Sequence, residues 1–97
     1  MSLRPAPTNR YVRDVKTLAR KHVDLAPLRE VEALVCENTP QSLEVLRRRH
    51  NMHSLKGAWA GSMERRVANA GDWLCVWVED GALAVFGRTG THDDIFG

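Results

Sequence analysis

The chain has 97 residues, 43% of them hydrophobic, and a formal net charge of +2. That length accommodates one domain with one core, and the hydrophobic share excludes a mainly disordered chain. Two cysteines, Cys36 and Cys75, are too far apart for a disulfide framework or a metal-ligand pair and read as thiols in a reducing compartment.

Arg4-Pro5-Ala6-Pro7 is extended, because proline fixes φ and turns its predecessor away from the helical region. It suits a short edge strand at most. Thr8 or Asn9 caps a helix running to about Lys21. Tyr11, Val12, Val15, Leu18 and Ala19 make its apolar stripe, and Arg10, Arg13, Lys16, Arg20 and Lys21 cover much of the opposite side. Asp24 is the expected cap of a second helix with Pro27 in its first turn. Leu28, Val31, Leu34 and Val35 continue the stripe to about Asn38, where Thr39-Pro40 ends it. The spacing predicts two antiparallel helices and then a shorter helical piece around residues 41–49. The Arg47-Arg48-Arg49 run there reads as a solvated helix end.

After Asn51 the hydrophobic period changes. Residues 59–67 suit a strand, with Gly57 and Gly61 at bends or close approaches. Ala68-Asn69-Ala70-Gly71 reads as a turn. Residues 73–78 are apolar on both alternating sets, which predicts a central strand covered on both faces, and at least two of Trp59, Trp73 and Trp77 are expected in the core rather than as base-stacking platforms. Asp80-Gly81 makes a tight hairpin, and Leu83, Val85 and Phe86 lie in the next strand. Helices first and an antiparallel meander afterwards predict a single α+β domain over residues 1–97. Two antiparallel helices pack on a small twisted three-stranded sheet, with residues 4–7 as a candidate edge strand. No stretch of residues 1–10 has the apolar centre of a signal peptide, and the longest apolar run is too short to cross a bilayer. The expected location is the cytoplasm, away from membranes.

Charge is unevenly distributed. Residues 1–71 carry 13 Lys/Arg against 7 Asp/Glu, hence +6, and residues 72–97 carry 1 against 5, hence −4. A basic front section is the electrostatic footprint that a nucleic acid would need. Three polar groups stand outside the core pattern: His53 before the meander, Asp72 at the start of its second strand, and His92 after its last. The antiparallel meander is expected to bring Asp72 towards Arg88, Thr91 and His92, whereas spacing alone does not fix His53 beside them. Imidazoles with a carboxylate and an arginine have the chemistry of metal-free RNA cleavage. One group deprotonates the ribose 2′-hydroxyl, another protonates the leaving 5′-oxygen, and a cation stabilises the phosphorane. These groups lack a recognised metal-ligand spacing, so neither a metal nor another cofactor is expected.

Three stretches carry a resemblance to a known family. Residues 53–61, His-Ser-Leu-Lys-Gly-Ala-Trp-Ala-Gly, resemble the H-x-L-x-G-x-W-x-G segment of the YafQ branch of the RelE-like toxins. Asp72-Trp73-Leu74 resembles its D-W-hydrophobic strand start, and Arg88-Thr89-Gly90-Thr91-His92 with Phe96-Gly97 resembles its R-T-G-T-H…F ending. Tyr11 to Lys21 is similar to its first helix. The resemblance implies a RelE-like fold and a toxin that cleaves mRNA in the ribosomal A site. It also implies a DinJ/RelB-like antitoxin as partner. It assigns proton transfer to His53 and His92, an acidic role to Asp72, phosphate contact to Arg88, and stacking or positioning of a base to Phe96. Lys56 and Arg65 are further candidate phosphate contacts. The antitoxin is expected to cover the basic groove or displace a catalytic element with an acidic, partly disordered segment.

One position departs from the pattern. Where the family carries a further histidine before its D-W element, the alignment places Arg66, and the following turn is two residues longer. Arginine stays protonated and cannot act as a general base. The expectation is retained RNA binding with turnover lowered by roughly 10²–10⁴-fold, the usual worth of one acid–base group. Two other readings of the residues stay open: a non-catalytic protein that occupies the ribosome or sequesters an antitoxin, and a small basic RNA-binding domain without a toxin role.

Overall fold

The proline-rich segment near the start of the chain finds its strand partner near the end. In the structure, a computed structural model describing residues 1–55 and 65–97, β1 (Arg4–Pro7) runs parallel to β5 (Leu83–Gly90). Arg4 lies opposite Leu83 and Pro7 opposite Phe86. Between them come α1 (Asn9–Arg20), α2 (Ala26–Glu37), α3 (Pro40–His50), β2 (His53–Leu55), β3 (Arg65–Ala70) and β4 (Trp73–Asp80). A short α4 (His92–Phe96) follows β5. The strands form one sheet in the order β1-β5-β4-β3-β2. All neighbours are antiparallel except β1 and β5, so the expected α+β class holds, with a mixed sheet and with β2 as an added edge strand.

Local chemistry sets the helix boundaries. Thr8 caps α1 by accepting from the Tyr11 amide at 3.1 Å. The expected Asp24 cap of α2 is corrected by one residue. Leu25 holds the cap position, and the Asp24 carboxylate instead accepts from the Ala26 amide at 3.0 Å, a local Asx turn. Thr39-Pro40, expected only to end α2, also starts α3. Thr39 and Ser42 form a reciprocal capping box with Pro40 in the first turn. Asn38 and Asn51 close α2 and α3 in the left-handed conformation, which asparagine tolerates. The three arginines at the end of α3 face acids, Arg47 and Arg48 on Glu44 and Arg49 near Glu30. They form a solvated helix end, as expected.

The core lies between the helices and one face of the sheet. Leu28, Val31, Val35 and Leu46 from α2 and α3 meet Ala68, Ala70, Cys75, Trp77 and Phe86. Tyr11 of α1 reaches the same cluster. Its ring centroid lies 5.3 Å from that of Phe86, and its hydroxyl donates to Glu32 at 2.6 Å, tying α1 to α2. Burial raises the Tyr11 hydroxyl far above its ordinary range, and pushes the Cys75 thiol up to about 12. Residues 68–71, expected as a turn, mostly belong to β3. Ala70 pairs with Trp73, leaving Gly71 and Asp72 as the two-residue hairpin with Gly71 at φ +67°. The two alanines are fully buried beneath α2 and α3, where a larger side chain would hold the helices off the sheet. Ala68→Leu is therefore expected to cost about 1–3 kcal/mol, seen as a lower midpoint in urea denaturation. An unchanged midpoint would mean that β3 and the helices are not in close contact.

Candidate active site

The face of the sheet turned away from the three helices carries the polar groups. Strand alternation puts Val67 and Asn69 of β3 on this face, opposite Ala68 and Ala70, and pairs Val67 with His53 and Asn69 with Leu74. A cavity of about 400 Å³ is lined there by Asn51, His53, Val67, Asn69, Leu74, His92 and Phe96. His53 is exposed, and its Nδ1 lies 3.0 Å from the Asn51 carbonyl oxygen. His92 and Phe96, one helical turn apart on α4, have ring centroids 4.9 Å apart. The structure thus brings together His53, His92 and Phe96, a link the sequence left open for His53.

The Arg-Thr-Gly-Thr-His ending owes its pattern to local geometry. Arg88 donates from Nε to Asp14 Oδ2 at 2.8 Å and from Nη2 to the Asp94 carbonyl at 3.2 Å. The buried Thr89 hydroxyl donates to the Leu74 carbonyl at 2.7 Å. Gly90 has φ +153°, and a Cβ there would meet Asp94 Oδ2 at 3.1 Å and Asp94 Cβ at 3.2 Å. Thr91 caps α4 in a reciprocal box with Asp94, which leaves His92 exposed as the first residue of the helix. A β-bulge between Val76 and Trp77 on β4 leaves Gly87 unpaired on β5. Phe86 therefore stays in the core while Arg88 pairs with Val76 on the outer face.

The other predicted site residues fall elsewhere. Arg88 lines a smaller polar cleft of about 230 Å³ with Arg10, Asp14, Lys21 and Asp94. Asp94 stands on the side of α4 away from His92 and Phe96, so the helix separates Arg88 from the histidine cavity. Asp72 sits in the β3–β4 turn, not at a strand start, and lines neither cavity, although it lies at the same end of the sheet. Arg66, expected at the position of the missing histidine, does not join the histidine cavity. Arg66 pairs with Ser54 and with the core residue Trp77, on the face of β3 opposite the cavity. Arg65 begins β3 on the cavity's face, paired with Leu55 and Val78. Lys56 and Trp59 lie outside the described residues.

Sequence reasoning missed three contributors. Asn69 was hidden by the turn-like Ala-Asn-Ala-Gly composition. Asp14, the one acid among the cations of α1, accepts from both Arg88 and the Thr89 amide. His50, 8% exposed, sets its Nδ1 2.9 Å from the Asn69 carbonyl and its Nε2 3.2 Å from Glu30 Oε2, within ion-pair distance though poorly aligned for a hydrogen bond. A further cavity, about 730 Å³, is an apolar groove between β1, α1 and α2 and contains none of the predicted residues. Among the described residues, no three His, Cys, Asp or Glu side chains come together to hold a metal ion. No helix there is long and apolar enough to cross a membrane.

Comparison with known proteins gives the family of the chain. The sequence profile of a family described as the YafQ bacterial toxin of type II toxin–antitoxin systems matches residues 3–97. The mRNA interferase toxin YafQ of Escherichia coli K12 is 31% identical over 90 residues, covering 93% of this chain and 91% of that protein. The toxin in the crystal structure of the E. coli DinJ–YafQ complex superposes with a TM-score of 0.79 at 30% identity, covering all of both chains. A chain of the archaeal RelE–RelB complex from Pyrococcus horikoshii shares the fold alone. Its TM-score is 0.61 at 17% identity, covering 94% of this chain and 96% of that one.

Two expectations concern α4. Gly90→Ala, meeting both an unfavourable φ and the Asp94 side chain, should destabilise the protein by about 1–3 kcal/mol and remove hydrogen-exchange protection from α4. Full protection in the variant would contradict the packing. The Asp94 carboxyl is held below its ordinary value of 3.8 by the bonds from the Thr91 backbone and from its side chain. The cap is then fully in place above pH 3.8 and is lost as the pH falls through the lowered value. The Thr91 amide resonance should follow with one acid transition below pH 3.8, and a transition at or above that pH would contradict the cap.

Proposed function

The chain belongs to the YafQ family of toxins from type II toxin–antitoxin systems, and on that premise we propose how its own residues act. It is an mRNA interferase, an endoribonuclease. Cleavage takes place in the cavity shared by His53, His92 and Phe96, and the meeting of two exposed imidazoles beside one aromatic ring is the observation that supports it.

One imidazole, neutral, takes the proton of a ribose 2′-hydroxyl. The 2′-oxygen attacks the adjacent phosphorus, and the bond to the 5′-oxygen of the next nucleotide breaks as the second imidazole, protonated, gives that oxygen its proton. The products are a 2′,3′-cyclic phosphate and a free 5′-hydroxyl, with one proton moved from base to leaving group. Phe96 beside His92 offers a ring on which a base can stack. Arg88, beyond α4, contacts a phosphate of the same strand outside the cavity. The Asp14 carboxylate fixes its Nε edge, and the remaining guanidinium donors address that phosphate. Asp72, at the turn beside this end of the sheet, is the acidic residue that acts with the histidines.

The substrate is mRNA in the ribosomal A site. The cations on α1 and those around the Arg88 cleft supply the electrostatic attraction to ribosomal RNA. The partner is a DinJ/RelB-like antitoxin, whose acidic segment covers the basic cleft. Raising salt should accelerate dissociation of that complex, and full salt independence would remove charge complementarity as its main term.

The deciding experiment is mRNA cleavage on programmed ribosomes. His53→Ala and His92→Ala are each expected to lose about 10²–10⁴-fold in rate while still binding antitoxin. If wild type and both variants fail to cut but bind ribosomes, the protein is a binding protein of the same fold.

A further inference from the structure

In-line attack at phosphorus puts the entering 2′-oxygen and the leaving 5′-oxygen on opposite sides. An acid and a base that serve them stand at the two ends of the reacting group. Whatever lies between the two faces the non-bridging oxygens, where negative charge builds in the transition state. In this cavity His53 comes from β2 at one end, and His92 follows β5 at the other. The wall between them is made by β3 and β4, which present Val67, Asn69 and Leu74. Only Asn69 of these three is polar.

Asn69 is also built to be held still. Pairing between β2 and β3 ends at His53 opposite Val67, so the Asn69 carbonyl lies beyond the last partner on that side. The nearly buried His50 supplies one instead. A carbonyl oxygen can only accept, so Nδ1 of His50 carries the proton in this 2.9 Å bond. Glu30 stands 3.2 Å from the other ring nitrogen, and Leu74 pairs Asn69 on the β4 side. The backbone of Asn69 is thereby fixed by α3 and β4 together. Among the described residues its carboxamide makes no hydrogen bond. A rigid backbone thus presents two uncommitted amide donors to the cavity.

We propose that Asn69 is a catalytic residue of this toxin, its carboxamide N–H donating to a non-bridging oxygen of the scissile phosphodiester as the phosphorane forms. The assignment rests on the histidine cavity being the cleavage site. A neutral amide moves no proton, so its contribution is to bind charge that appears in the transition state. Loss of one such donor typically costs about 10²–10³-fold in rate. His50 is a positioning residue that acts through the Asn69 backbone.

The test is single-turnover cleavage on programmed ribosomes by the full chain, using mRNA with either a normal or a phosphorothioate linkage at the cut site. Asn69→Ala should cut the normal linkage about 10²–10³-fold more slowly, with its urea midpoint and antitoxin affinity unchanged. Wild type should be slowed by sulfur in one of the two diastereomers, since sulfur is the poorer acceptor, and Asn69→Ala should lose that discrimination. Asn69→Asp, of the same shape but anionic against phosphate, should be at least as impaired as Asn69→Ala. The proposal falls if Asn69→Ala cuts like wild type, if it is slow but keeps the full diastereomer discrimination, or if Asn69→Asp is active. When wild type cuts, His92→Ala does not and Asn69→Ala does, only the Asn69 assignment is lost. When His92→Ala cuts as well as wild type, the cavity reading fails first.

Discussion

The outer edge of β5 is the constraint on which the rest of this molecule depends. An exposed strand edge is a row of unpaired amides and carbonyls that must be covered. Here the cover is divided. Strand β1 pairs with residues 83–86, and α1 then takes over with side chains. The Thr8 hydroxyl donates to the carbonyls of Phe86 and Gly87, and the Asp14 carboxylate accepts the amide of Thr89. Asp14, with a side chain only 13% exposed, also accepts from Arg88 and has Arg10 3.7 Å away. Desolvating that carboxylate would be costly without such donors. Because α1 is fastened at this edge, its Tyr11 meets Phe86 and Glu32, and α2 is drawn into the core. Because Arg88 and Thr89 are fastened there too, the chain leaves β5 on a fixed course into α4, which carries His92 and Phe96.

Much of this was legible in the sequence where a residue's role is set by its neighbours in the chain. The apolar stripes of α1 and α2, the apolar central strand β4 and the Asp80-Gly81 hairpin all follow from period and turn chemistry. The readings that missed depend on distant packing. Ala68 and Ala70 look like turn residues by composition, yet they are strand residues because two helices press on them. Thr39-Pro40 carries both a stop and a start, and only the Ser42 hydroxyl that completes the capping box decides for a new helix. Arg66 followed from counting positions along an alignment, whereas strand alternation sends it to the opposite face. The split between Arg88 and the histidines could not be read at all. It arises because α4 is a single turn whose 92 and 96 positions share one side and whose Asp94 takes the other.

That split changes the view of the site from one cluster to two. The histidine cavity contains an aromatic ring. The arginine cleft is smaller and holds charges of both signs, with cations from α1 beside two carboxylates. A short helix capped by one threonine and one aspartate stands between them. The geometry of the histidine cavity therefore rests on a few capping bonds more than on the hydrophobic core, whose buried residues lie on the other face of the sheet.

The parallel pairing of β1 with β5 also sets the timing of assembly during synthesis. Thr8 and Phe86 are 78 residues apart in the chain, and closing so long a loop is slow compared with forming a helix. Helices α1 to α3 have local contacts available as soon as they are made, but β1 has no strand partner until residues 83–86 exist. His92 and Phe96 come later still. A nascent chain can therefore hold the helices and their basic surface before the cavity of His53, His92 and Phe96 exists.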